Sequence, residues 1–424
     1  MLRFKQGVGV CMLACTILLT AAAHAATYYV ATTGNNGNPG TEEQPWRTVA
    51  YAVGTMAVGD TTYVRGGTYN ESVIRFKRSG TANAPIKLLN YPGEKPVIDF
   101  VDQAVGKTVT ILHGSGQNVA MGYITVEGFE IKNGYDGIKF YSMHNSVIRR
   151  NWIHDNINQG ILGIGGHHNL FDRNIINHNG NFVGCTNGDL TPIRTTICNQ
   201  THGMYMHGDS YTITNNLIYD NLAVGIQHNG SPTSAYSPTR HAGPEFAGAA
   251  NWVIAHNVMA YHSYGSGLLI WGSLSNNIRV ENNIFYENQQ LHGSSSGQGV
   301  FFSGVGGTGI TIRNNHSYAS GAGGIPFLGT SGASEGVHYK QSGNIVNVSA
   351  PGFVNAPATV PASPNFALTA RSPAIDAALP LATVKIDFNG TPRPQGRAPD
   401  IGAYEYTAGG DSQSPVAPKA LRVN

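Results

Sequence analysis

The sequence predicts an all-β fold, a right-handed parallel β-helix, and three observations support this prediction. A glycine that leads an alternating apolar strand recurs after 23 residues, from Gly137 to Gly160. An asparagine that follows such a strand recurs at the same spacing, from Asn151 to Asn174. The chain also has 54 glycines and only 12% charged residues, a composition that suits many short strands joined by tight corners.

Both the glycine and the asparagine recur through most of the chain. The glycines are Gly137, Gly160, Gly203, Gly225, Gly267, Gly299 and Gly324, and the asparagines are Asn151, Asn174, Asn216, Asn257, Asn283 and Asn315. One turn of this length cannot bury its own apolar face, whereas turns stacked roughly 4.8 Å apart bury it against each other. Asparagines at one corner then bond along the stack as a ladder. Tandem Greek-key sandwiches are the alternative, but they do not reproduce one glycine and one asparagine per turn.

The first 25 residues have the pattern of a secretory signal peptide. Arg3 and Lys5 precede an apolar run that ends in small residues, and we expect cleavage after about Ala25. A lipoprotein acylated at Cys15 is the alternative, which the continuing apolar run disfavours. No later stretch reaches the roughly 18 apolar residues that span a bilayer. We therefore expect a secreted chain, periplasmic or extracellular, with no membrane partner.

Removal of residues 1–25 changes the charge balance and the cysteine count. The basic residues fall from 26 to 24 with the loss of Arg3 and Lys5, and equal the 24 acidic residues. A formal charge of zero gives no indication of nucleic acid as a partner. Cys185 and Cys198 then remain, and we expect a disulfide bond between them in an oxidising compartment.

The ends of the repeat are expected to be covered. Val49, Val53 and Met56 have helical spacing within residues 46–57, which predicts a short helix over the N-terminal end of the core. The repeat fades after about Val346. The boundaries that we expect are a signal peptide at 1–25, the β-helix at 26–349, a C-terminal wrap at 350–406 and a flexible tail at 407–424.

Two long insertions, at about 180–202 and 229–250, interrupt the repeat. The first contains both remaining cysteines, and the second is rich in Gly, Pro, Ser and Thr. Long loops that interrupt an otherwise regular repeat usually form a functional site. We favour this interpretation over that of variable surface loops.

Six segments carry a family resemblance. They begin at Tyr28 (Tyr-Tyr-Val-Ala-Thr-Thr-Gly-Asn-Asn-Gly), Gly40 (Gly-Thr-Glu-Glu-Gln-Pro-Trp), Gly59 (Gly-Asp-Thr-Thr-Tyr-Val-Arg-Gly-Gly-Thr-Tyr), Ser372 (Ser-Pro-Ala-Ile-Asp-Ala), Asp387 (Asp-Phe-Asn-Gly-Thr-Pro-Arg-Pro) and Asp400 (Asp-Ile-Gly-Ala-Tyr-Glu). Together they resemble secreted bacterial β-helix polysaccharide lyases, including the family 9 pectate lyases and related alginate lyases and epimerases. The resemblance implies architecture and compartment more than reaction, because such folds host lyases, hydrolases, epimerases and binding proteins.

The catalytic motifs of these families are incomplete here. The family 9 pectate lyases carry Asp-Asp-Gly-x-Asp, whose carboxylates hold calcium, whereas this chain has Tyr-Asp-Gly-Ile-Lys at 135–139 and keeps only Asp136 of those carboxylates. The epimerase segment Asp-Pro-His corresponds to Ser-Met-His at 142–144. No spacing matches a zinc motif. We expect no cofactor and no tightly bound metal, with weak calcium binding left open.

The strands led by glycine define one exposed face. Residues one and three after the glycine are expected to face the core, and residues two and four to face outward. The outward columns are Lys139, Leu162, Tyr205, Gln227, Leu269 and Phe301, and Tyr141, Ile164, His207, Asn229, Trp271 and Ser303. Flat aromatic rings beside polar groups are typical of a sugar-binding groove.

Eliminative cleavage of a uronate needs a base at C5 and neutralisation of the carboxylate. Lys139 is the first candidate for the base, and Tyr205 and His207 are the alternatives, although each also suits an ordinary strand position. The expected substrate-binding residues are Asp136, Tyr141, Arg194, His202, Asp209, Gln227, His228, Arg240 and Trp271. Arg149 or Arg173 are further candidates to neutralise a carboxylate.

The leading hypothesis is a secreted polysaccharide lyase that acts on an acidic, uronate-containing glycan such as pectate or alginate. A uronate C5-epimerase or a glycoside hydrolase on the same scaffold is the alternative within enzymes. A non-catalytic glycan-binding or surface protein is the alternative from another class. We expect a monomer whose partner is a polysaccharide.

Overall fold

The computed structural model describes residues 25–100, 120–180, 201–231, 249–288, 298–320 and 327–408. Successive turns of the chain stack so that their strands pair in parallel in three long sheets, named here sheet A, sheet B and sheet C. This arrangement confirms the predicted parallel β-helix. Within the described part of the chain, no helix is long and apolar enough to cross a membrane.

The strands of each sheet follow one another up the stack. In the described ranges sheet A comprises Thr27–Val30, Thr61–Val64, Ile86–Asn90, Ile124–Glu127, Val147–Arg149, Leu170–Asp172, Thr212–Thr214, Val253–Ala255, Arg279–Glu281, Ile310–Arg313 and Tyr339–Ser342. Sheet B comprises Gly67–Glu71, Pro96–Phe100, Glu130–Lys132, Trp152–His154, Ile175–Asn177, Leu217–Tyr219, Val258–Ala260, Ile284–Tyr286, His316–Tyr318 and Ile345–Val346. Sheet C comprises Met121–Gly122, Ile138–His144, Ile161–His167, Met204–Met206, Ile226–Asn229, Leu268–Trp271, Val300–Ser303 and Leu328–Ser331. Two short pairs complete the set, Ala249–Ala250 with Ser275–Asn276 and Phe353–Asn355 with Asn365–Leu368.

Recurring glycines lie where an added Cβ would collide with the next turn. A Cβ at Gly137 would lie 2.8 Å from the carbonyl oxygen of Gly160, and a Cβ at Gly160 would lie 2.6 Å from that of Gly203. Both distances are too short for an alanine. The sequence period therefore reflects a steric requirement that is repeated at each turn.

The predicted asparagine ladder is confirmed at the corner between sheets A and B. Asn174 Nδ2 donates to Asn216 Oδ1 and to the carbonyl of Ile148, each at 2.9 Å. The same pair of bonds repeats along Asn151, Asn174, Asn216, Asn257, Asn283 and Asn315, and the ladder ends at Asn344. Each amide thereby satisfies a backbone carbonyl that the turn leaves buried.

A second ladder, which the sequence analysis did not predict, follows sheet B. Asn156 Nδ2 donates to Asn179 Oδ1 at 2.8 Å, and Asn179 Nδ2 donates to Asn221 Oδ1 at 2.9 Å. At the next turn His262 takes the place of an asparagine, and its Nδ1 accepts from the backbone N–H of Asn221 at 3.3 Å. His262 N–H in turn donates to Asn288 Oδ1 at 3.5 Å.

The N-terminal end of the apolar core and the outer side of sheet B are both covered by other segments. The predicted N-terminal helix is confirmed as Val49–Thr55, with Thr48 as its N-cap, and Val49 and Val53 belong to the core cluster. Toward the C-terminus, Phe366 and Ile401 pack on the outer side of sheet B in one cluster with Val258. The C-terminal segment therefore lies against sheet B.

Candidate functional site

The outer face of sheet C has the side chains that the alternation predicts. Ile138 and Phe140 are buried in the core, whereas Lys139 and Tyr141 belong to the other side of the same strand. Strand pairing aligns one outward column of residues. Its members in order are Lys139, Leu162, Tyr205, Gln227, Leu269 and Phe301.

Lys139 forms an ion pair at the start of this column. Its Nζ lies 3.7 Å from Oδ2 of Asp136, whose side chain is fully buried. Asp136 Oδ1 accepts from Asn158 Nδ2 at 2.7 Å and from the backbone N–H of Gln159 at 3.3 Å. Burial raises the pKa of Asp136, and the Lys139 ammonium opposes that rise. The pair therefore fixes the lysine head group beside a buried carboxylate, because a lone charge there is costly.

Tyr205 is the centre of a polar and aromatic group two strands further along. Its ring stacks on His202 with centroids 5.4 Å apart, and it meets His207 edge-on at 5.3 Å. Asn229 Nδ2 donates to the Tyr205 hydroxyl oxygen at 2.6 Å. The structure thus brings Tyr205, His202 and His207 together, and adds Asn229.

His202 is held neutral by its surroundings. Burial lowers the pKa of His202 to about 3. Its Nδ1 accepts from the backbone N–H of Val224 at 3.2 Å, which assigns the ring proton to Nε2. His202 can therefore support the Tyr205 ring and donate a hydrogen bond without carrying charge at neutral pH.

The floor between Lys139 and Tyr205 is apolar. Tyr141, Leu162 and Ile164 form one cluster, and Tyr205 packs against it. The Lys139 ammonium lies 5.7 Å from the centroid of the Tyr141 ring, within cation–π range. Such a floor suits the apolar face of a sugar ring.

Further along sheet C the face becomes more open. Leu269, Trp271 and Phe301 are each partly exposed. The indole of Trp271 lies beside Gly304, where even an added Cβ would be 3.8 Å from the ring. Gln227 lies between Tyr205 and Leu269 in the column and is nearly buried. These residues extend the face toward the C-terminal turns.

Several other candidates lie away from this face. His228 points into the core, where its Nε2 contacts the carbonyl of Ala249 at 2.8 Å and its ring meets Trp252, so His228 is not available to a ligand on sheet C. Asp209 lies at a corner beyond the strand and accepts from Asn251 Nδ2 at 3.2 Å and from Ser210.

The two described arginine candidates are engaged on sheet A. Arg149 Nε donates to Glu127 at 2.8 Å, and Arg173 Nε donates to Asp172 at 2.7 Å. Neither is part of the sheet C face. Arg194, Arg240, Cys185 and Cys198 lie outside the described residues, as do most of the two insertions and of the expected tail.

The calcium site of the family 9 pectate lyases does not fit the residues around Asp136. Calcium takes about six to eight oxygen ligands. One Asp136 oxygen already accepts two hydrogen bonds, and the other faces the Lys139 ammonium. Within the described ranges, no group of three or more His, Cys, Asp or Glu side chains has the geometry of a metal site.

Two polar residues of the site were given no role from the sequence, although Asn229 was assigned to an outward column. Asn158 binds Asp136 from the next turn, and Asn229 binds Tyr205 across one strand pair. Asn158 lies 22 residues after Asp136, so the repeat period is the signal that relates them. A local motif search cannot find such a pair, because its members belong to different turns.

Comparisons with known proteins agree with this architecture. Residues 28–180 match the family model for a Pel9A-like, right handed beta helix region, and residues 182–346 match that for a right handed beta helix region. The crystal structure of pectate lyase Pel9A superposes with a TM-score of 0.56 at 18% identity, covering 90% of this chain and 96% of that one.

Three curated relatives each match a part of the chain. Pectate lyase PEL9 of Emericella nidulans is 35% identical over 119 residues, 28% of each protein. Pectate lyase L of Paenibacillus polymyxa is 33% identical over 140 residues, 32% of this chain and 30% of the relative. YwoF of Bacillus subtilis, an uncharacterized protein, is 35% identical over 107 residues, 25% of this chain and 23% of the relative. The matches span less than a third of these relatives. The chain is a right-handed parallel β-helix protein similar to polysaccharide lyases of the pectate lyase type.

Proposed function

We propose that this protein is a secreted polysaccharide lyase that cleaves a uronate-containing glycan by β-elimination on the outer face of sheet C. The observation that carries the proposal is the register that places Lys139 and Tyr205 on either side of Leu162. Two strand spacings separate their backbones, roughly 10 Å. A pyranose ring over Leu162 then has an ammonium on one side and a phenol hydroxyl on the other.

The two groups suit the two requirements of the reaction. We assign carboxylate neutralisation to Lys139, because the buried Asp136 holds its ammonium at this face. We assign proton removal from C5 to Tyr205, because the hydrogen bond that Asn229 donates stabilises negative charge on the phenol oxygen. The Tyr205 phenolate takes the C5 proton, the C5–H electron pair becomes the second bond between C4 and C5, and the C4–O4 bond breaks. O4 takes a proton from water, and the hydroxide left behind takes the proton of Tyr205 to restore the phenolate.

The test is product formation from a panel of purified uronate polymers, followed by the ultraviolet absorbance of the unsaturated product. Tyr205→Phe should lose at least about a hundredfold in kcat, the usual size of a general-base contribution. Lys139→Gln should lose a similar factor, whereas Lys139→Arg keeps the charge and should retain more of the rate.

A matched control is Lys340→Gln, which removes an exposed lysine on sheet A and should change nothing. If Lys139→Arg is as inactive as Lys139→Gln while Tyr205→Phe stays active, Lys139 is the base. New reducing ends without absorbance would instead indicate a hydrolase, and inversion at C5 without chain cleavage an epimerase.

Glycan binding without cleavage is the second candidate. It is favoured by the Lys139 side chain, which is only 10% exposed and already paired with Asp136. Tight binding of a uronate polymer with no product after long incubation would support this candidate over the lyase.

A further inference from the structure

A cavity of about 450 Å³ lies at the N-terminal end of the β-helix, outside the face described above. One wall is the helix Val49–Thr55, which contributes Tyr51 and Gly54. The other wall is the extended segment 73–77, which contributes Arg75 and Lys77. Its volume is in the range of small-molecule binding sites.

The alternation of the segment explains why both cations face this cavity. Ile74 and Phe76 are 0% and 1% exposed and belong to the core, so Arg75 and Lys77 must point outward. The end of the Lys77 side chain reaches helix residue Gly54, where an added Cβ would be 3.5 Å from Nζ.

The segment leads directly to the edge of sheet C. The backbone N–H of Gly80 donates to the carbonyl of Gly122 at 3.0 Å, and that of Gly122 donates to Ser79 Oγ at 3.0 Å. Gly122 pairs with His144, at the end of the strand that carries Lys139. The cavity therefore lies at the N-terminal end of the face on which we place the glycan.

Among the described residues, no carboxylate balances the charge of the cavity. Some other cations pair with acids, as Arg65 does with Glu94 at 2.7 Å and Arg149 with Glu127 at 2.8 Å. For Arg75 and Lys77, no carboxylate of the described residues lies within 4.0 Å. Two like charges on one wall repel each other, and a bound anion removes that cost.

Tyr51 adds a flat apolar surface on the helix wall of the cavity. Its side chain is 41% exposed, and Trp46 holds its ring edge-on at a centroid distance of 5.4 Å. Aromatic rings in this setting pack against the apolar faces of sugars. The cavity thus combines two cations for carboxylates with one ring for a pyranose.

We propose that this cavity is a second binding site for the acidic glycan, in which Arg75 and Lys77 bind uronate carboxylates and Tyr51 packs against a sugar ring. The identity of the polymer rests on the proposed function. The site extends the glycan-binding surface beyond the N-terminal edge of sheet C. Long glycans that reach both sites therefore bind more tightly than short ones.

The test compares Arg75→Gln/Lys77→Gln with the matched double variant Lys340→Gln/Arg371→Gln, which removes two exposed cations from the C-terminal half of the chain. Binding of polygalacturonate, alginate and a neutral galactan is measured by calorimetry at low salt and at 1 M salt. The first variant should bind the acidic polymers about tenfold more weakly at low salt, and the control should match the wild type. The difference should shrink at 1 M salt, where charges are screened beyond roughly 3 Å.

Cleavage of short oligomers is measured in parallel and should be the same in both variants. If the wild type forms no unsaturated product and Arg75→Gln/Lys77→Gln still binds the acidic polymers more weakly, the second site is supported and the lyase is refuted. Equal binding by the first variant and the wild type would overturn the second site, as would equal affinity of the wild type for galactan. Tyr51→Ala should weaken binding without changing its salt dependence, and an unchanged affinity would refute the role of the ring.

Discussion

The backbone nitrogen of Ala26 lies 2.9 Å from Oδ1 of Asp60, a carboxylate that is only 3% exposed. The second oxygen of Asp60 accepts from the backbone N–H of Ala57 at 2.7 Å, and the Ala26 carbonyl accepts from Thr61. Asp60 thus joins the first strand of sheet A to the turn that precedes the second. Cleavage after Ala25, which the sequence predicts, converts this nitrogen into an ammonium beside a buried carboxylate.

We therefore predict that Asp60→Asn destabilises a chain beginning at Ala26 by about 1.5–3 kcal/mol, the usual contribution of a charge-assisted hydrogen bond. A chain with one extra residue before Ala26 has only an amide there and should lose less. Urea unfolding of the four proteins measures both effects. Equal losses in the two backgrounds would contradict the proposed ammonium pair.

Buried histidines should make the protein sensitive to acid. Burial lowers the pKa of His228 to about 4 and that of His262 to about 3, as it does for His202. Between these values and 6.5 the unfolded chain binds protons that the folded chain excludes, so stability falls as the pH falls through this window. Each histidine contributes up to about 1.4 kcal/mol per pH unit. Urea midpoints at pH 7 and pH 5 test this, and equal midpoints would contradict it.

His262→Asn should restore an asparagine in the second ladder and remove one of these histidines. Asn221 N–H and Asn288 Oδ1 are in place to bond an amide at this position. We expect stability near that of the wild type at pH 7 and a shallower loss below pH 6. A slope of stability against pH that does not change would show that His262 is protonated in the folded state.

The first ladder should tolerate substitution poorly. Asn216→Ala removes the partners of the Asn174 backbone N–H and the Phe171 carbonyl, which costs about 1–3 kcal/mol for each buried group left unsatisfied. Asn70→Ala, at an exposed position of sheet B, is the control and should cost little. Thermal unfolding of both variants provides the comparison, and equal melting temperatures would refute a stabilising role for the ladder.

Chelation of divalent ions should leave the reaction unchanged. The oxygens of Asp136, the one carboxylate kept from the family 9 calcium motif, are engaged by Asn158, Gln159 and Lys139. Product formation from a uronate polymer is compared with and without EDTA, and again after calcium is added back. A loss of rate that calcium restores would mean that another part of the chain binds the ion.

The sequence by itself determined the β-helix, its first asparagine ladder and the outward columns of sheet C. These features depend on local alternation along a strand and on a steric requirement that recurs at every turn, so they appear as a period. The same alternation places His228 three residues after Gly225, on the inner side of its strand.

The tertiary structure decided which of these residues act together. Asp136 accepts from Asn158 of the next turn, and Arg149 pairs with Glu127 of the preceding turn on sheet A. His262 replaces an asparagine in a ladder whose other members lie on different turns. Such partners are set by stacking between turns and by which face the C-terminal segment covers. Residue types along one strand do not specify those contacts, because each strand is completed by side chains from the turns above and below it.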